Sequence, residues 1–233
     1  MNSAIIIPAR NEEVPLPGLI AEIPPGVANT VIVVDNGSTD HTAEVARQAG
    51  AVVVVEPRAG YGHACAAGVR AAVERGAEAL VFLDADGSFD PTQVPNLLTP
   101  IKSGQADLVL GSRPAGGIEP GAMPPHARFG NWLVARLMRL LYGLDVSDLG
   151  PYRAVRADLL AHLGMQEMTY GWPTEMMVKA AKHGARVVEV PARYRVRRGG
   201  RSKVSGTIRG TLLATYAILL VTLRHAFGRK GSP

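Results

Sequence analysis

Short runs of β-branched and aliphatic residues recur along the first two-thirds of the chain. Each gives way to polar turn formers, and most lead on to a helical pattern. The runs are Ala4–Pro8, Thr30–Asp35, Ala51–Val55, Ala79–Leu83 and Asp107–Leu110. They are continuous rather than alternating, the pattern of strands covered on both faces. Between them Thr39–Ala49 and the alanine-rich His63–Arg75 read as helices. Strand–helix alternation of this kind predicts an α/β fold with a mostly parallel sheet flanked by helices. Ligands of such sheets bind beyond the carboxyl ends of the strands.

Farther along, the pattern changes. Gly111–Pro125 holds four glycines and four prolines and predicts a long irregular loop of functional type. Phe129–Tyr142 is amphipathic, with Trp132, Leu133, Leu137, Leu140 and Leu141 set against Arg128, Arg136 and Arg139. Thr174–His183 reads as a helix closed by Gly184, and Ala185–Val190 as a strand stopped by Pro191. Fourteen uncharged residues, Gly210–Leu223, lie between two arginines. As a helix they span roughly 21 Å, short of the ~30 Å hydrocarbon core, so a buried or interfacial helix is expected rather than a span.

Composition narrows the class. Apolar residues make up 47% and charged residues 19% of 233, a globular balance that excludes a disordered chain. One cysteine, Cys65, excludes a disulfide framework and a cysteine-rich metal cluster. The first residues lack the basic and long apolar regions of a signal peptide, which predicts a cytoplasmic location. Net charge is +5, yet residues 193–233 carry ten Lys or Arg and no Asp or Glu, so the rest of the chain is negative. That split points to an anionic partner such as phosphate or a lipid headgroup surface.

Candidate chemistry sits at the strand ends. Arg10-Asn11-Glu12 follows the first strand, Asp35-Asn36-Gly37-Ser38 the second, and Asp84-Ala85-Asp86 the fourth. Two carboxylates one residue apart suit a hard divalent cation, Mg²⁺ or Mn²⁺, which seeks oxygen ligands and bridges phosphates. Asp84 and Asp86 are therefore the metal candidates. Gly60 and Gly62, in Arg58-Ala59-Gly60-Tyr61-Gly62-His63, precede a helix whose first N–H groups could face an anion. The Arg195/Arg197 alternation reads as one face of a strand.

Four segments together resemble the signatures of family 2 glycosyltransferases with the GT-A fold. They are Ile-Ile-Ile-Pro-Ala-Arg-Asn-Glu-Glu (5–13), Val-Val-Asp-Asn-Gly-Ser-Thr-Asp-His-Thr (33–42), Leu-Asp-Ala-Asp-Gly (83–87) and Leu-Gly-Ser-Arg (110–113). The likeness covers roughly residues 3–205 and is greatest to the branch of dolichol- and polyprenol-phosphate hexose synthases. It implies a GT-A domain over 1–206, followed by an apolar and basic helix over 207–233 packed on the domain, a partner copy or a membrane surface.

The resemblance also implies roles. Pro8, Ala9, Arg10, Asn11 and Glu12 would line the nucleotide pocket; Asp35 would contact base or ribose, with Gly37 and Ser38 allowing close approach. Arg113 would lie near acceptor or donor phosphate, and Arg201, Ser202 and Lys203 would close over the diphosphate. Asp148 and Arg153 match a family segment usually reading Asp-x-x-Ser-Gly-Phe-Arg, with Gly150-Pro151-Tyr152 here in place of Ser-Gly-Phe. Asp148 is either an acceptor-side residue or a loop carboxylate paired with an arginine. Glu175 is either a candidate general base or a first-turn residue favoured by the helix dipole.

The activity so implied is a metal-dependent, inverting transfer of a hexose from a GDP-mannose or UDP-glucose type donor to a polyprenol phosphate. The enzyme would be peripheral on the inner face of the cell membrane, and a homo-oligomer is compatible with it. A soluble acceptor hydroxyl is the alternative within the same fold. A sugar nucleotidyltransferase is disfavoured because Pro8–Glu12 lacks a glycine-rich phosphate loop. A nucleic-acid-binding module is disfavoured because no basic-aromatic motif accompanies the tail.

Overall fold

The computed structural model describes residues 1–199 and 208–227. Seven strands form one sheet: β1 (Ser3–Ala9), β2 (Thr30–Asp35), β3 (Val52–Val55), β4 (Ala79–Phe82), β5 (Leu108–Ser112), β6 (Arg153–Arg156) and β7 (Val187–Pro191). Their order is β3-β2-β1-β4-β6-β5-β7. Pairing is parallel throughout except for β6, which runs antiparallel to both β4 and β5. The sheet is thus mostly parallel, and its central β1 explains the unbroken Ile5-Ile6-Ile7 run. Ile6 points into one core with Val34, Leu80 and Phe82, while Ile5 and Ile7 point into the other with Val33, Val81 and Leu83.

Nine α-helices are described: α1 (Leu16–Ala21), α2 (Thr42–Gln48), α3 (Tyr61–Val73), α4 (Val94–Lys102), α5 (Arg113–Gly116), α6 (Pro125–Tyr142), α7 (Ala157–Leu163), α8 (Trp172–Lys182) and α9 (Ile208–Phe227). α3 lies flat on β1 and β2 because its sheet-facing positions are small. A Cβ at Gly68 would run into the Ile6 side chain. α4 packs beneath β4, β5 and β6 and carries the buried Val94, Leu97, Leu98 and Ile101.

Two sequence expectations are corrected here. The segment 111–125 is not irregular throughout: β5 runs on to Ser112, whose hydroxyl then caps the short α5 by accepting the Ala115 N–H. Arg195 and Arg197 are not one face of a strand. Only Tyr194 makes isolated bridges, to Phe89 and Ile118, and the arginines turn to separate acidic partners instead.

α9 packs on α8 and α6. Val221 and Thr222 are buried there, the Tyr142 hydroxyl donates to the Thr222 carbonyl, and Lys182 Nζ donates to the His225 carbonyl at 2.7 Å. Leu213, Tyr216, Leu220 and Leu223 face outward, as do Phe129, Trp132, Leu133 and Leu140 of α6. Among the described residues no helix is long and apolar enough to cross a membrane.

Candidate active site

The carboxyl ends of β1, β2 and β4 meet at one edge, as parallel pairing in register requires. Pro8 and Ala9 are the last residues of β1, opposite Val34 and Asp35, and Arg10 stands exposed just beyond. Asn11 takes a left-handed backbone (φ 52°). Its N–H donates to Ser38 Oγ at 2.9 Å and its Oδ1 accepts the Thr39 N–H at 2.8 Å. The Glu12 N–H donates to Thr42 Oγ1 at 2.8 Å, so the loops after β1 and β2 are laced into one wall. Burial raises the Asp40 carboxyl, but hydrogen bonds from Thr42 and Glu13 outweigh it and bring the group below its ordinary range.

Asp35 is buried at the end of β2 and accepts the Ser38 N–H at 3.0 Å across Gly37, whose φ of 75° suits glycine. Beside it, Asn36 acts as an organiser that sequence reasoning missed. Its amide donates to the Glu56 and Arg58 carbonyls, each at 2.8 Å, and its Oδ1 accepts the Gly60 N–H at 2.9 Å. The asparagine was visible in the turn, but its partners lie 20 to 24 residues away.

Asp84 and Asp86 follow β4 on a tight loop that turns at Gly87 (φ 73°). Asp86 Oδ1 accepts the Ser88 N–H at 3.0 Å and the Ser88 hydroxyl at 2.6 Å, while Oδ2 lies 3.7 Å from Arg197 Nη1. The Tyr61 hydroxyl lies 3.4 Å from Asp84 Oδ1. Crowding by protein, and then the Asp86 charge, push the Asp84 carboxyl up to about 7, with Arg113 pulling the other way. Among the described residues no set of three His, Cys, Asp or Glu side chains forms a closed metal cage. Asp84, with its raised proton affinity, and the neighbouring Asp86 carboxylate nevertheless fit a hard cation that completes its shell with water or phosphate oxygens.

The basic segment before residue 200 lies across this acidic edge. Arg197 reaches Glu12 at 3.2 Å and Asp86 at 3.7 Å. Arg195 holds Asp90 at 2.5 Å and Glu22 at 3.3 Å, and Arg198 holds Glu22 at 2.5 Å. Its backbone is tied to the metal-candidate loop as well, through Arg195 N–H to Ser88 O at 2.7 Å and Arg198 N–H to Asp86 O at 3.0 Å. Arg201, Ser202 and Lys203 lie outside the described residues.

Arg113 opens α5 at the end of β5 and pairs with the fully buried Asp148. The carboxylate accepts the Arg113 backbone N–H at 2.8 Å, Nε at 2.7 Å and Nη2 at 2.6 Å. Glu189 of β7 fixes the Asp148 loop by accepting the Ser147 and Asp148 N–H groups. Burial opposes the Arg113 charge, but Asp148 outweighs it and raises the group above its ordinary value. Asp148 is therefore the partner that orients Arg113.

Glu175 lies in the first turn of α8. It is fully buried, accepts the Gln166 and Glu167 N–H groups at 2.9 and 2.8 Å, and pairs with Lys179 at 2.8 Å. The turn it pins rests on the first turn of α3. A Cβ at Gly62 would lie 2.6 Å from the Met168 Cα, and one at Gly60 would strike the Met168 carbonyl. Gly60 and Gly62 are thus required by a protein turn.

The chain can be set beside known proteins. A family model described as "Glycosyl transferase family 2" matches residues 4–164. An uncharacterized glycosyltransferase of Mycobacterium tuberculosis is 44% identical over 211 residues, 90% of this chain and 93% of that protein. The undecaprenyl-phosphate mannosyltransferase of Micrococcus luteus is 36% identical over 221 residues, 90% of each chain. Among solved structures, glucosyl-3-phosphoglycerate synthase from Mycobacterium tuberculosis, in complex with Mn²⁺, UDP and phosphoglyceric acid, superposes with a TM-score of 0.75. It covers 97% of this chain and 78% of that one at 23% identity, a likeness of fold.

Proposed function

The chain belongs to glycosyltransferase family 2 and has the GT-A fold, and from that premise we propose that it moves a hexose from a nucleotide-sugar donor to the phosphate of a polyprenol. The observation that carries the reading is the pair Asp84 and Asp86 standing within electrostatic reach of Arg113 at one sheet edge. Asp84 and Asp86 would hold Mg²⁺ or Mn²⁺, which when bound neutralises the diphosphate leaving group. The wall formed by residues 8–12 and 35–38 would take the nucleoside. Arg113, aimed by Asp148, would face the acceptor phosphate.

An acceptor phosphate oxygen attacks the anomeric carbon as the bond to the donor diphosphate breaks, and the configuration inverts. That oxygen is already ionised at neutral pH, so no protein base is needed. This accords with Glu175 and Asp148 both being spent on protein partners. Arg113 and the basic segment would stabilise the charge that passes to the diphosphate.

Support for a polyprenol acceptor comes from the neighbouring cavity of about 600 Å³. It begins at Pro114, next to Arg113; its walls include the apolar Met123, Trp132 and Val146, and Arg128, Arg136 and Arg139 line it too. The outward apolar faces of α6 and α9, with arginine beside them, suit an anionic bilayer surface. The solved relative bound to phosphoglyceric acid favours a second reading, a soluble phosphorylated acceptor in the same cavity.

The test is a panel of GDP- and UDP-hexoses with Mg²⁺ or Mn²⁺, offered undecaprenyl phosphate in anionic vesicles, phosphoglycerate, or neither. Metal-dependent release of nucleoside diphosphate with undecaprenyl phosphate alone supports the proposal. Turnover only with phosphoglycerate moves the assignment to the second reading, and turnover unaffected by Asp84→Ala removes the site.

A further inference from the structure

Tyr194 is where three segments of the active-site edge are joined. Its backbone N–H donates to the Gly117 carbonyl at 3.0 Å and its carbonyl accepts the Glu119 N–H at 2.8 Å, tying it to the loop after α5. One residue on, the Arg195 N–H donates to the Ser88 carbonyl, tying the same segment to the loop of Asp84 and Asp86. Its ring meets Phe89 edge-on at 5.0 Å, and Phe89 in turn packs on the buried Tyr152 at 5.0 Å. The aromatic stack therefore gives Tyr194 a rigid floor.

On that floor lies Arg113. Its guanidinium carbon sits 5.1 Å from the Tyr194 ring centroid, while Asp148 grips the same group through Nε and Nη2. Asp148 fixes two of the guanidinium nitrogens, and the ring lies against the same group as a second contact. The phenol stands within reach of the Asp84 and Asp86 charges. Tyr194 thus meets the acceptor-side cation with its ring and is tied to the donor-side loop through the Arg195 N–H and the edge-on contact with Phe89.

We propose that Tyr194 is a positioning residue, holding the Arg113 guanidinium plane toward the acceptor phosphate and keeping that cation in register with the Asp84–Asp86 loop. The inference rests on the phosphate-acceptor reading above. Removing the aromatic face leaves Arg113 paired with Asp148 but free to tilt. Acceptor binding then suffers, while the carboxylates still receive the donor.

The experiment uses the full chain and four variants: Tyr194→Met, Tyr194→Phe, Arg113→Lys and the Tyr194→Met/Arg113→Lys double. Calorimetry of UDP or GDP with Mn²⁺ reports the donor side, the undecaprenyl phosphate KM reports the acceptor side, and thermal unfolding runs alongside. Tyr194→Met is expected to raise the acceptor KM about tenfold, the loss of one desolvated cation–π contact, while nucleotide affinity stays within about twofold. Tyr194→Phe, which keeps the face, recovers most of that loss. The double variant is no worse in KM than Arg113→Lys alone, because both changes act on one group.

Equal loss of donor and acceptor binding with a lower melting temperature in Tyr194→Met would mean a merely structural tyrosine and overturn the inference. An unchanged acceptor KM would overturn it too. Should the methionine variant fail to fold, a Tyr194→Phe chain as impaired toward acceptor as Arg113→Lys would do the same, since the face alone is claimed to matter. A wild-type chain that ignores every phosphate acceptor removes the underlying reading, an outcome distinct from any of these.

Discussion

Replacing Asp148 by asparagine removes one charge and keeps the side chain's shape. The carboxylate is fully buried and receives three hydrogen bonds from Arg113 and one from the Gly150 N–H. An amide can accept through one oxygen only, and its NH₂ group must then face an Arg113 N–H. Arg113, 13% exposed, is left a nearly buried cation without its paired carboxylate. Breaking such a pair costs about 3–5 kcal/mol when the remaining charge is buried, and the lower end applies here because solvent touches Arg113. In a domain of this size each kcal/mol is worth about 2–4 °C, so the melting temperature is expected to fall by ~6–12 °C. Circular dichroism melts at pH 7, in low and high salt, measure the fall; a buried pair keeps it nearly constant with salt. The acceptor KM should rise in the same variant. A melt within about 2 °C of wild type would refute the burial argument. A collapse of kcat with stability and KM intact would instead make Asp148 the base that its hydrogen bonds exclude.

Three further outcomes follow from the same contacts. Glu175→Gln gives up the Lys179 pair and turns an amide toward two N–H donors; the melt drops by several degrees, and the pH profile of kcat keeps its shape unless Glu175 is a base after all. Gly62→Ala forces a Cβ onto the Glu167–Met168 backbone and should cost about 1–3 kcal/mol, whereas Gly130→Ala, inside α6 with no atom in the way, should gain up to about 1 kcal/mol. Calorimetric melts that rank the two the other way would contradict the packing. Asp84 has its carboxyl raised from 3.8 to about 7, so the metal-free fold is favoured by its protonated form and that stability is lost as pH climbs through about 7. Asp84→Asn should therefore raise the metal-free melting temperature more at pH 8 than at pH 5; an equal shift at both would remove the cause assigned to burial and Asp86.

Much of the fold was legible because β1, β2 and β4 are apolar on both faces and so write an unbroken run. β6 was not legible, since Arg-Ala-Val-Arg carries a charge at each end. Arg153 is buried there only because its guanidinium donates to the Pro173 and Gly150 carbonyls, which no local pattern displays. α4 was hidden by Pro95 and Pro100, yet its apolar positions pack under the sheet and outweigh propensity. At the site, the strand-end carboxylates were legible from turn chemistry. A pairing of Asp148 with some arginine was legible, but not that the arginine is Arg113, because the two lie 35 residues apart. The turn from residues 166–168 that approaches Gly60 and Gly62 was not legible, since it leaves no trace in their own segment. Tyr194 carried no signal among the arginines around it.

The central claim is that Asp84 and Asp86 bring a divalent cation to a nucleoside diphosphate. Titrating UDP and GDP into the wild-type chain and the Asp84→Asn/Asp86→Asn variant, with Mn²⁺ and with chelator, tests it directly. The account predicts that at least one nucleotide binds the wild type tightly only with Mn²⁺, and that the variant loses this metal-dependent gain. Binding of equal strength with and without metal, or a variant that responds to Mn²⁺ as the wild type does, would contradict it.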